Sequence, residues 1–68
     1  MKRVSGRRMC KALHAKGWAW VRTAGSHHIF EREGEPMNIS VPVHGNEDLS
    51  VGTQRVIMRV ARLTDDDL

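Results

Sequence analysis

Cysteine is almost absent from these 68 residues: Cys10 stands alone. A lone thiol forms no internal disulfide, which excludes the disulfide-stapled scaffolds and points to a reducing compartment; a cytoplasmic location is expected. Long apolar runs are missing, so no transmembrane helix is expected. The basic start MKRVSGRR leads into no apolar stretch, and no secretory signal is expected either. His14, His27, His28 and His44 follow no zinc-ligand spacing and Cys10 has no partner cysteine; neither metal nor cofactor is expected. There are no repeats, linkers or low-complexity tracts. The hydrophobic content of 40% suits a small core and is too high for a disordered chain. One domain over residues 1–68 is expected.

What the chain does have is an uneven charge. Its net charge is +3. Residues 1–32 set eight basic residues (Lys2, Arg3, Arg7, Arg8, Lys11, Lys16, Arg22, Arg32) against Glu31 alone, a net +7. Residues 33–68 set three (Arg55, Arg59, Arg62) against seven acids, a net −4. A basic half suits a polyanion such as nucleic acid. The competing explanation is a solvated helix face. The acidic end TDDDL could equally dock on a basic partner.

Periodicity predicts the order helix, three strands, helix. Ser5 can cap a helix over 6–16, with Met9, Ala12 and Leu13 as its apolar stripe and Gly17 stopping it. WAWVRTA, 18–24, alternates as a strand, with Trp18, Trp20 and Arg22 on one face. Ala24-Gly25-Ser26 reads as a turn. HHIFER, 27–32, reads as the next strand, with His27, Ile29 and Glu31 on one face and His28, Phe30 and Arg32 on the other. MNISV, 37–41, puts Met37, Ile39 and Val41 inward, and Pro42 ends that strand. A helix over 51–61 carries Val56, Ile57 and Val60 as its stripe, with Leu49 and Leu63 closing the core. Thr64 and three aspartates resemble the start of a stunted third helix. The fold class is therefore α+β, a three-stranded antiparallel meander with both helices on one face.

The stretch GSHHIF, 25–30, concentrates the chemistry. Histidine is the side chain whose unperturbed pKa lies nearest neutrality. Adjacent strand residues point to opposite faces, so both imidazoles cannot reach one reacting group. Each histidine could also be a strand residue whose ring bonds a loop carbonyl. Trp18 and Trp20 suit core packing or a stacking platform for unpaired bases. Gly25 can supply a positive-φ turn, or with Ser26 a phosphate-binding nest of N–H groups.

GW (17–18), GSHHIF (25–30), ISVPVH (39–44) and VGTQRVIMR (51–59) together resemble HicA toxins of bacterial HicA–HicB toxin–antitoxin systems. The resemblance runs from Ser5 to Leu63. It implies a double-stranded-RNA-binding-domain-like α-β-β-β-α fold and an endoribonuclease that cleaves mRNA. It also implies a HicB-type antitoxin as partner, with the chain monomeric alone and oligomeric with the antitoxin. His27 matches the catalytic histidine after Gly-Ser. The expected RNA contacts are Lys11, Lys16, Arg22, Gly25, Ser26 and His28, and the second catalytic group is Lys11, Lys16, Arg22, His44 or a substrate oxygen. The alternative is a non-catalytic RNA-binding module of the same fold. The chain departs from the family at Ala61-Arg62-Leu63, where Ala-Gly-Leu is usual. A helix that ends differently or runs on is expected there.

Overall fold

The computed structural model describes residues 1–68. The Ser5 hydroxyl accepts the Arg8 N–H at 3.1 Å and starts α1, Gly6–Ala15. Met9, Ala12 and Leu13 are its buried stripe. Gly17, at φ +89°, stops it, and the N–H of Trp18 returns to the Leu13 carbonyl at 3.0 Å.

Three antiparallel strands follow in spatial order: β1 (Ala19–Ala24), β2 (His27–Glu31) and β3 (Ile39–Pro42). Ala24 pairs with His27, so the β1–β2 loop is just Gly25-Ser26. Gly25 has φ +59° and Ser26 does not have positive φ. That is the type II′ hairpin, which requires glycine first and matches the twist of its strands. The β2–β3 register sets His28 opposite Val41 and Phe30 opposite Ile39. Phe30, Ile39 and Val41 are buried against Met9, Leu13 and Ile57. Both helices thus cover one sheet face and leave the other open, as expected.

α2, Val51–Ala61, starts at a second serine cap, Ser50, whose hydroxyl accepts the Thr53 N–H at 3.3 Å. Leu49 and Leu63 close the core as predicted, joined by Val4 and Leu68. The chain before α1 is stitched to the segment before α2. Ser5 bridges Asp48, the Leu49 N–H reaches the Val4 carbonyl at 2.9 Å, and Arg3 donates to the Leu49 carbonyl. Gln54, fully buried, accepts the Val4 N–H at 3.2 Å and donates to the Lys2 carbonyl at 2.6 Å.

Four expectations are corrected. A β-bulge interrupts β1 between Trp20, opposite Phe30, and Arg22, opposite Ile29. The extra residue, Val21, reverses the alternation, so Arg22 joins the open face while Trp18 and Trp20 stay on the helix face. Trp20 lies beyond the cover of α1 and is 58% exposed, so only Trp18 is core. Met37 precedes β3 and is 57% exposed rather than inward. The buried stripe of α2 is Gln54, Ile57 and Ala61; Val56 is exposed, because Gln54 is drawn inward by the backbone groups of Lys2 and Val4.

Arg62 ends α2 in the left-handed region, φ 56° and ψ 45°. The Leu63 N–H returns to the Met58 carbonyl at 2.8 Å. The helix stops where a glycine would stop it, with arginine holding the glycine conformation. The last segment is a short 3-10 turn, Asp65–Asp67, whose Asp67 carboxylate accepts the Thr64 N–H at 2.8 Å. No helix is long and apolar enough to cross a membrane.

Candidate functional site

The alternation of β2 separates the two histidines. His27 is exposed on the open face. Its Nδ1 lies 3.0 Å from the Ser40 hydroxyl of β3. The bulge has placed Arg22 on that face too; it is two residues before Ala24, the cross-strand partner of His27. Diagonal neighbours of this kind lie roughly 7–8 Å apart at the backbone, within reach of a long side chain. Ser26, half-buried, sets its hydroxyl 3.5 Å from His44 Nε2, and its carbonyl accepts the Val43 N–H at 2.8 Å. The open face therefore carries His27, Arg22 and Ser40 near the hairpin, while Ser26 contacts His44, which lines a cavity of about 210 Å³ together with Glu47, Asp48 and Thr53.

His28 belongs to the other side. It is half-buried, with Nδ1 3.8 Å from Cys10 Sγ of α1. Its ring stacks on the Trp20 indole, 4.4 Å between centroids and 7° between planes. Trp20 is fixed in turn: its Nε1–H donates to the Arg22 carbonyl and the Thr23 hydroxyl, each at 3.1 Å. A groove of about 260 Å³ opens beside them, lined by Cys10, Lys11, His14, Trp20 and Phe30. Burial pushes the Cys10 thiol up to about 11, so at neutral pH it is a protonated packing group and no nucleophile.

The predicted RNA contacts divide accordingly. Arg22, Gly25 and Ser26 accompany His27, whereas Lys11 accompanies His28. Lys16 sits with neither: its ammonium pairs with Asp67 at 3.0 Å, and its carbonyl accepts from Arg32 at 2.8 Å. Gly25 takes the positive φ that the turn requires, and a Cβ there would meet nothing within 4 Å. Arg32 stands 4.8 Å over the ring of buried Trp18, so both serve packing. The larger cavity, about 360 Å³ between β3 and α2, is lined by residues such as Met37, Ile39, Thr53 and Val56 and has no titratable group in its wall. Nowhere do three His, Cys, Asp or Glu side chains converge as metal ligands.

Sequence reasoning missed Ser40 as the partner of His27. The signal was present in the alternation of MNISV, which turns Ser40 outward, but the pairing depends on cross-strand register. The exposed position of Trp20 had no sequence signal, because bulges leave none in a single chain.

Comparison with known proteins places the sequence in a family. A family model described as HicA toxin of bacterial toxin–antitoxin covers residues 6–63. The chain belongs to the HicA toxin family. It is thus a toxin of the toxin–antitoxin class, and the matched span takes in both helices, the whole sheet, His27 and His28. No curated protein matches it.

Proposed function

We propose that this HicA-family chain is an endoribonuclease that cleaves mRNA and so arrests translation, and that a HicB-type antitoxin neutralises it by covering the histidine. The observation that supports this reading is His27: an exposed imidazole on an open sheet face, held at Nδ1 by Ser40 with a cation, Arg22, on the same face. RNA carries its own nucleophile, the 2′-hydroxyl. Cleavage needs that proton removed, the leaving 5′-oxygen protonated and the phosphorane charge stabilised. With Nδ1–H donated to Ser40 Oγ, the Nε2 lone pair of His27 takes the 2′-hydroxyl proton; the imidazolium so formed then returns that proton from Nε2–H to the leaving 5′-oxygen. Such transfers contribute about 10²–10⁴-fold. Arg22 is the group that would meet the phosphate charge. The route needs no metal ion.

A second assignment within the same function has its own observation. His28 shares the helix side with Lys11 and the groove, and its ring is fixed by Trp20. There Lys11 would be the phosphate partner and His28 the proton-transfer group.

The test is induced expression of wild type, His27→Ala and His28→Ala, each shown folded by circular dichroism, with growth and RNA integrity followed. Wild type is expected to fragment mRNA, His27→Ala to leave RNA intact, and His28→Ala to keep cutting. The reverse pattern moves the chemistry to the α1 side. A wild type that binds RNA and leaves it whole makes the chain a non-catalytic RNA-binding module.

A further inference from the structure

Trp20 is held at the surface, outside the buried core. It is 58% exposed, yet its indole cannot swing to cover: Nε1–H is engaged by the Arg22 carbonyl and Thr23 hydroxyl, and one face lies on His28. The β-bulge at Trp20/Arg22 makes this arrangement, since it brings Trp20 and Thr23 to the same side of the sheet. His28 is backed by Cys10 and Trp20 by His28, so the exposed ring is one plate of a stack anchored on α1. Beside it is the groove of about 260 Å³, with Phe30 and Cys10 as apolar walls and Lys11 and His14 in its lining. Arg7, one turn before Lys11 on α1, is exposed on the same helix face, and neither Arg7 nor Lys11 has an ion-pair partner.

We infer that the Trp20–His28 stack beside the α1 groove is a nucleobase subsite: an unpaired base of single-stranded RNA lies against the Trp20 indole, and Lys11 holds the adjoining phosphate. A pinned aromatic ring has already lost its rotamer freedom, so binding a base there costs little further ordering. Stacking accepts any base, since each has a π-face, which suits a platform that has no hydrogen-bond donor left after Nε1–H is used. The larger cavity between β3 and α2 offers no such match, because no Lys, Arg or His is in its lining. The inference deepens the RNA reading above and rests on it. It holds whichever histidine carries the proton.

The test uses the full chain and 2′-O-methyl octanucleotides, which lack the attacking hydroxyl and stay uncut. One strand carries bases; the other is the same backbone made abasic. Binding is followed by fluorescence anisotropy across a salt series. Wild type is expected to prefer the base-bearing strand by about tenfold or more. Trp20→Leu is expected to lose that preference while keeping its salt slope, and Trp20→Phe to retain most of it. Lys11→Ala is expected to weaken both strands alike and lower the salt slope by about 1. A Trp20→Leu protein that keeps the preference, or a wild type that has none, overturns the platform and leaves the RNA reading standing. Wild type that binds neither strand overturns both. Wild type that shows the preference but leaves ordinary RNA whole keeps the platform and removes the nuclease.

Discussion

Gly6 and Gly52 each lie in the first turn of a helix, and the same methyl group has opposite consequences at the two. A Cβ on Gly6 would overlap the Pro42 carbonyl oxygen and crowd Val43 Cα at 3.2 Å. Backbone meets backbone there, so no side chain can yield and α1 must lift from β3. A Cβ on Gly52 meets nothing within 4 Å. Gly6→Ala is therefore expected to cost about 3 kcal/mol, and Gly52→Ala to add about 0.5 kcal/mol by lowering the entropy of the unfolded chain. Urea unfolding followed by circular dichroism measures both, and equal effects would refute the close approach at Gly6. Nothing local in Ser5-Gly6-Arg7 announces this demand, because the neighbour that sets it is 36 residues away in the chain. His27 is similar in kind. That it belongs to a strand and opposes His28 in direction follows from alternation, but its bond to Ser40 follows only from register.

At the level of the element, the Ser5 cap was readable and the bulge was not. Ser5 and Ser50 cap as their chemistry dictates, and Gly17 and Gly25 take the positive φ that their places require. Arg62 takes the same conformation without glycine's freedom. Its guanidinium reaches Glu35 at 2.6 Å, while Glu35 also accepts from Arg32 at 2.9 Å. The ion pair is offset against left-handed strain. Exposed pairs contribute about 0–1 kcal/mol, and the left-handed conformation costs a non-glycine residue roughly 1 kcal/mol or more. Arg62→Gly is thus expected to be about as stable as wild type or slightly more so, and Arg62→Ala, which keeps the strain and loses the pair, to be less stable than Arg62→Gly by about 1 kcal/mol. Thermal unfolding of the three proteins decides it; identical melting of the Gly and Ala variants would mean the cap carries no strain.

Across the whole molecule, the acidic half is folded back on the basic half. Asp67 pairs with Lys16 at 3.0 Å, the Asp65 carboxylate accepts the Lys2 backbone N–H at 3.0 Å, and the Leu68 carbonyl accepts from Arg8 at 3.0 Å. The TDDDL end that looked available to a basic partner is engaged by its own chain. The Arg32 hydrogen bond first, and Arg62 second, hold the Glu35 carboxyl below the usual carboxylate range. The Thr64 N–H first, and Lys16 second, do the same for Asp67. A carboxyl depressed in the folded state stabilises the protein above its unfolded pKa, about 4, and that contribution is lost as pH falls through the folded value. Melting temperature is therefore expected to be flat with respect to these groups near neutrality and to drop below about pH 4. Glu35→Gln with Asp67→Asn should melt lower than wild type at pH 7 and lose less on acidification; parallel curves would show that neither carboxylate contributes.

The sequence by itself determined the element order, the Ser5 cap, the glycine turns, most of the core and the adjacency of two histidines that must face apart. Those features depend on the nearest few residues, through backbone sterics, capping and periodicity of two or 3.6. The tertiary structure alone decided which groups surround each histidine, through the Ser40 contact and the bulge that sends Arg22 to one face and exposes Trp20 on the other, and it alone decided the burial of Gln54 and the pairing of Lys16 with Asp67. Each of these depends on registering strands or joining segments far apart in the chain, and one residue of slip moves a side chain to the opposite face.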